Sequence, residues 1–217
     1  MDADFWRECW RRRETPWAQS EANGLLVRHW ASIPLRTDAW VFVPLCGSSL
    51  DMAFLAARGH RILGVELVPE AIEAFFAGQG IAPRRRPHRI GEVFEGGSYR
   101  ILAGDAFELR PEDLAECSAF YDRAALVAVP PAMRHRYVAE VLGKLPPGSQ
   151  GLLVSLEFPE SARAGPPYPL SAEEIRVLFA DWNPVLLDRL DLIERDPGFA
   201  RGMAHAWTTA WRLRRPG

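Results

Sequence analysis

The chain is poor in the features that mark several protein classes. Cysteine occurs three times, at Cys9, Cys46 and Cys117, an odd number with no C-x-x-C spacing. Neither a disulfide framework nor a zinc knuckle follows from that pattern, and reduced thiols are expected. Basic excess is also missing: 26 Lys and Arg stand against 28 Asp and Glu, a net charge of −2. Binding nucleic acid through its phosphates takes a surplus of cations to displace counterions, so that class is disfavoured. The dense positive runs are Arg11 to Arg13 and Arg84 to Arg86, and such short runs usually make solvated faces. No apolar stretch approaches the ~20 residues that span a bilayer. The opening Met-Asp-Ala-Asp-Phe-Trp lacks the basic-then-apolar order of a secretion leader, so a cytoplasmic location is expected. His29, His60, His88, His135 and His205 show no metal-ligand spacing, and no metal is expected. There is no Gly-x-Ser-x-Gly elbow, which argues against a hydrolase.

What is present is an ordinary globular composition, 48% hydrophobic and 25% charged. At ~150 residues per domain, 217 residues make one domain the default. Residues 4 to 13 and 21 to 33 have helical spacing, with Ser20 as the expected cap of the second. Next come an apolar run, Ala39 to Val43, a helix from Ser49 to Arg58 closed by Gly59, a strand from Arg61 to Glu66 and a helix from Pro69 to Phe76. Residues 83 to 97 read as a loop or short hairpin. Strands follow at Tyr99 to Ala103 and Ala119 to Asp122, then a helix from Pro131 to Leu142 and a strand from Gly151 to Phe158. This alternation predicts an α/β fold, a doubly wound, mostly parallel sheet with helices on both faces. Leu186 to Ile193 and His205 to Leu213 are two extended runs that should add an antiparallel hairpin at the C-terminal edge.

Ligands of such sheets sit beyond the carboxyl ends of the strands. The turn Pro44-Leu45-Cys46-Gly47-Ser48-Ser49 stands there, and Gly47, without a side chain, lets the backbone approach a ligand. A single glycine is not the G-x-G-x-x-G of dinucleotide binding, so a diphosphate cofactor such as NAD is disfavoured. Glu66 ends the next strand, 19 residues after Gly47. An acid at that place can accept hydrogen bonds from both ribose hydroxyls, and it repels phosphate. Asp105 and Ala106 follow another strand, where a side chain or an amide can meet an adenine edge. Together these features describe a pocket for S-adenosylmethionine. Arg123, next to Asp122 at a strand end, can bind a carboxylate or stabilise a thiolate, or form a salt bridge with Asp122 that holds the loop. Trp6, Trp10 and Trp17 precede the sheet and suit a lid over a flat heterocycle or a sulfonium. Cys46 has no basic neighbour in sequence to activate it and reads as a small buried hydrophobe.

The stretches Pro44-Leu45-Cys46-Gly47, Ala57-Arg58-Gly59-His60 with Gly64-Val65-Glu66, and the run from Tyr121 through Asp122-Arg123-Ala124-Ala125-Leu126 to Val129 resemble the thiopurine S-methyltransferase family. The Trp6 to Trp10 spacing and Pro166-Pro167-Tyr168-Pro169 before Ser171 are similar to it too, so the resemblance covers roughly residues 4 to 180. It implies a Rossmann-like methyltransferase; a monomer is the default, and residues 1–33, which carry the three early tryptophans, are expected to form a helical lid. S-adenosyl-L-methionine would be held by Trp6 or Trp10, the Leu45 backbone, Gly47, Glu66, Asp105, Ala106 and Arg123. Arg123, near the incoming sulfur, would be the catalytic residue and would share the acceptor with Trp17. Two positions depart from the family pattern. Trp17-Ala18-Gln19 stands where Phe-His-Gln is frequent, and Ser48 replaces a frequent lysine.

The expected activity is methyl transfer to the sulfur of a small aromatic or heterocyclic thiol, with neither nucleic acid nor membrane as partner. Selenium or tellurium compounds are alternative acceptors. A non-catalytic small-molecule binding protein on the same fold is the other alternative.

Overall fold

The computed structural model describes residues 3–12 and 14–217. Met1, Asp2 and Arg13, which fall within the expected lid and within one of the basic runs, lie outside the described residues.

Five short apolar segments build the centre of one sheet: β1 (Trp40–Pro44), β2 (Arg61–Glu66), β5 (Tyr99–Ala103), β6 (Cys117–Arg123) and β7 (Gln150–Glu157). They run parallel in the order β5-β2-β1-β6-β7. Their side chains alternate between two cores, as a strand period of two requires. Phe42, Leu63, Phe120 and Leu153 join one core with Tyr137 and Val138 of α5 (Arg134–Glu140) and Ile175 and Leu178 of α6 (Ala172–Leu178). Val41, Val43, Ile62, Ala119, Tyr121 and Leu152 face the other. That core holds Leu25 and Leu26 of α2 (Gly24–His29), Met52 and Leu55 of α3 (Asp51–Ala57) and Phe75 and Phe76 of α4 (Pro69–Gly78). Strands buried on both faces by crossover helices are the expected consequence of parallel pairing.

Antiparallel strands extend both edges. On one side, β3 (Arg84–His88) and β4 (Gly91–Gly96) form a hairpin, the second of the two forms expected between residues 83 and 97. Its arginines are ion-paired: Arg84 and Arg86 with Glu95, and Arg85 with Glu73. On the other side, β9 (Trp207–Arg214) pairs with β7, and β8 (Val185–Asp191) forms the outer edge. The last two residues of the extended run expected to reach Ile193 instead open a short helix, α7 (Leu192–Arg195), because the Asp191 side chain accepts the Ile193 N–H at 2.7 Å.

Local details differ from the pattern expected above or add to it. Ser20 does not cap the second helix; the Asn23 side chain does, accepting from Leu25 N–H at 3.0 Å, and α2 begins at Gly24. The buried face of α3 carries Asp51, Met52 and Leu55, whereas Leu50 and Phe54 are only partly covered. Helix α6 had no counterpart in the sequence reading, although Ser171 is a regular cap that accepts from Glu174 N–H at 3.1 Å.

One buried acid gives a test of the packing. Asp122 is fully enclosed, with Oδ1 accepting from Leu126 N–H at 3.0 Å and Oδ2 from the Tyr137 hydroxyl at 2.7 Å. Burial outweighs these bonds and pushes its pKa from 3.8 up to about 6. The folded state therefore holds a proton that the unfolded chain has lost, so this group's contribution to stability falls as pH rises from about 4 to 6. Asp122→Asn preserves the shape and removes the charge. Urea unfolding is expected to show the variant gaining up to about 3 kcal/mol over wild type at pH 8 relative to pH 4, two pKa units' worth. An equal difference at both pH values would contradict this account.

Candidate active site

The strand order reverses around β1: β2 lies on one side and β6 on the other. Such a switch point leaves a crevice at the carboxyl edge. A cavity of about 360 Å³ occupies it, lined by Leu45 to Ser49 after β1, Glu66 and Leu67 after β2, and Arg123 and Ala124 at the end of β6.

The β1 turn is held in an uncommon backbone conformation, with φ of +46° at Leu45 and +52° at Gly47, and Ala124 has φ of +65°. Non-glycine residues in this region carry strain that the surrounding structure has to hold, and they cluster at functional sites. Here the restraint is visible. Gly47 N–H donates to Glu66 Oε2 at 2.8 Å and Val68 N–H to Oε1 at 2.9 Å. The two residues read separately in the sequence are thus one bonded unit. Burial raises the Glu66 pKa, partly offset by these N–H donors. The same burial, with Glu66 nearby, lifts the Cys46 thiol well above its usual range, which leaves it a protonated wall group.

Arg123 does not pair with Asp122. Its Nε donates to Asp51 Oδ2 at 2.6 Å, Nη1 to the Trp17 carbonyl at 3.1 Å and Nη2 to Ser49 Oγ at 3.1 Å. Asp51 is itself buried and also accepts from the Tyr121 hydroxyl at 3.0 Å and Asn23 N–H at 2.7 Å. Three of the five guanidinium N–H groups are thereby used, and the other two are available to a ligand. Asp51 was not singled out in the sequence. The available signal was an acid among the apolar residues of a helix face, which a core tolerates only with partners.

Helix α1 (Ala3–Arg11) and the segment after it cover one side of the cavity. Trp6 and Trp17 meet edge to face at 5.3 Å, Trp10 and Trp17 at 6.5 Å, and all three line the cavity. Trp10 also packs on the turn, since a β-carbon added to Gly47 would come within 3.3 Å of its ring. Arg11 and Arg12 on the outer side are ion-paired with Glu8. The remaining tryptophans pack elsewhere: Trp30, Trp182 and Trp211 are buried, while Trp40 and Trp207 lie under arginine side chains.

The cavity is further bounded by Val127, Ala128, Leu156, Arg163, Pro166, Pro167, Leu192 and Phe199. Asp105 and Ala106 are not in its wall. They follow β5, one strand beyond Glu66; Asp105 is exposed and caps residues 106–108 by accepting from Phe107 N–H at 2.9 Å, and Ala106 is buried. Among the described residues, no group of three or more His, Cys, Asp or Glu could hold a metal ion, and no helix is long and apolar enough to cross a membrane.

The fold and its cleft define a class, the Rossmann-like methyltransferases. Among solved structures, a Burkholderia thailandensis 1,6-didemethyltoxoflavin-N1-methyltransferase with bound S-adenosylhomocysteine superposes with a TM-score of 0.67 at 19% identity, over 99% of this chain and 87% of that one. An arsenic(III) S-adenosylmethionine methyltransferase from Chlamydomonas reinhardtii gives 0.59 at 15% identity, over 84% and 66%. Sequence comparison is more specific. The profile of the family described as thiopurine S-methyltransferase (TPMT) matches residues 1–216, and the chain belongs to that family. Curated relatives named thiopurine S-methyltransferase include one from Xanthomonas campestris pv. campestris (strain 8004), 43% identical over 99% of this chain and 100% of its own. Another, from Bordetella petrii, is 41% identical over the full length of both. The family match thus extends past residue 180, through the C-terminal hairpin.

Proposed function

We propose that the protein transfers a methyl group from S-adenosyl-L-methionine to the sulfur of a small aromatic or heterocyclic thiol. The observation that carries this reading is Arg123, a guanidinium that lines the cavity and is held there by Asp51, Ser49 and the Trp17 carbonyl.

The donor set fits an adenosine joined to a sulfonium better than a dinucleotide. Glu66 is a buried carboxylate at the position suited to a ribose, and its negative charge disfavours a diphosphate there. The Leu45 backbone and Gly47 would hold the nucleoside, with Trp6 and Trp10 to cover it. Asp105 and Ala106 would serve the adenine edge just outside the cavity.

When bound, S-adenosylmethionine supplies a methyl group already activated by positive charge, so the protein needs no nucleophile of its own. Its tasks are to align the acceptor and exclude water. Trp17 and the facing apolar wall hold a flat ring, and Arg123 favours the thiolate electrostatically. Aromatic thiols lose their proton readily, which agrees with a cavity wall that offers no histidine. Acting on a small molecule, the protein is expected to work as a cytoplasmic monomer, without nucleic acid or membrane.

Two measurements test the reading together. Calorimetry should show S-adenosylhomocysteine binding, and a labelled methyl donor should yield S-methylated product from benzenethiol or a thiopurine. Binding without any product would make this a binding protein. No binding would refute the proposal outright.

A further inference from the structure

Arg163 lies on the loop between β7 and α6 and lines the cavity. Its guanidinium carbon sits 4.5 Å from the centre of the Phe199 ring, which also lines the cavity. Stacking on an aromatic face holds the group in place while leaving its N–H donors in the guanidinium plane unspent. No Asp or Glu among the described residues comes within 4.0 Å of it, in contrast to Arg123. Asp196, the acid on the same part of the wall, has Oδ1 engaged by the Phe199 N–H at 3.0 Å.

The loop that carries Arg163 is anchored to the site. Tyr168 N–H donates to the Val127 carbonyl at 2.7 Å and Leu170 N–H to the Leu156 carbonyl at 2.8 Å. Gly165 has φ of +75°, and a β-carbon there would come within 2.4 Å of the Tyr168 ring, so the loop folds as it does only with glycine at that point. Apolar residues such as Val127 and Leu156 line the same cavity as Arg123 and Arg163.

We propose that Arg163 is a specificity-determining residue that binds an anionic substituent, a carboxylate, on the aromatic acceptor. The inference rests on the reading of the cavity as a thiol methyltransferase site and names the acceptor class: a flat ring that carries its sulfur toward Arg123 and a carboxylate toward Arg163. A planar guanidinium fits a carboxylate through two parallel hydrogen bonds, a match that a lysine does not reproduce.

The test is direct binding of reaction products in the presence of S-adenosylhomocysteine. The three isomers of methylthiobenzoate and the uncharged thioanisole are titrated into wild type and Arg163→Ala. Wild type is expected to bind at least one methylthiobenzoate about ten- to a hundredfold more tightly than thioanisole. Arg163→Ala should erase that preference and leave thioanisole affinity unchanged, and Arg163→Lys should restore only part of it. The proposal is overturned if wild type shows no preference, if the preference survives in Arg163→Ala, or if no product binds at all. Methyl transfer to the parent mercaptobenzoates is measured alongside. Tight, Arg163-dependent binding without turnover would sink the catalytic reading and uphold the anion site; turnover of benzenethiol without a carboxylate preference would do the reverse.

Discussion

Replacing Arg123 by alanine is expected to lower kcat/KM for a neutral aryl thiol by about 10²- to 10³-fold, the range seen when one preorganised donor to a developing anion is removed. The effect should depend on the acceptor. If the guanidinium favours the thiolate, its loss weighs most on thiols that are protonated at the assay pH and fades as pH rises above the thiol pKa. A purely structural role would lower every acceptor alike. The substitution also leaves Asp51 without its cation, and an unpaired buried carboxylate is destabilising by several kcal/mol. The Asp51→Asn/Arg123→Ala double variant removes that complication. Arg123→Lys keeps the charge but not the fork that reaches Asp51, Ser49 and Trp17 at once, so it should recover only part of the rate. In each variant, S-adenosylhomocysteine affinity within a few-fold of wild type shows that the cleft is intact. Unchanged turnover in all of them would remove Arg123 from the chemistry.

Glu66→Ala acts on the other half of the cavity. Two charge-assisted hydrogen bonds to ribose hydroxyls, each worth about 1.5 kcal/mol net, together amount to about 3 kcal/mol, or about a hundredfold in the Kd for S-adenosylhomocysteine. The alanine also strands the N–H groups of Gly47 and Val68, which loosens the turn that carries Leu45. Glu66→Gln separates these effects only in part, because its amide NH₂ must face one of those N–H donors. The pH dependence is the sharper signature. Ribose hydroxyls donate to the ionised carboxylate, and burial raises the Glu66 pKa above the ordinary range. Cofactor affinity should therefore hold at neutral pH and weaken as the pH falls through that raised value, sooner than an exposed glutamate would dictate. Calorimetry from pH 8 down to pH 4, below the ordinary glutamate pKa, measures this. An affinity flat across that interval in wild type, or an equal slope in Glu66→Ala, would exclude Glu66 as the ribose partner.

Much of the framework was legible in the sequence because parallel strands announce themselves locally. Each of the five central strands is a short apolar run bounded by a turn residue, and its alternation already divides the side chains between two cores. Helix ends were less legible. Ser20 and Asn23 are both good caps, and the choice fell to Asn23, whose backbone N–H is taken by the buried Asp51 carboxylate. Helix α6 is short and follows a proline-rich stretch, so its periodicity had little room to show.

The sequence by itself determined the fold class, the family and the pairing of a glycine turn with an acid 19 residues on, since these rest on local pattern and near spacing. Tertiary structure alone decided what that pairing does, which is to bond Gly47 to Glu66 directly, and which partner Arg123 takes. Asp51 lies 72 residues from Arg123 and the Trp17 carbonyl 106 residues away, while Asp122 is its immediate neighbour. Adjacent residues in a strand point to opposite faces, so Asp122 turns into the core beneath Tyr137 and Arg123 into the cleft. Arg163 carried no signal in sequence at all. Its place in the cavity wall comes from an anchored loop and an aromatic ring 36 residues on, and long-range contacts of that kind exist only once the sheet has brought their ends together.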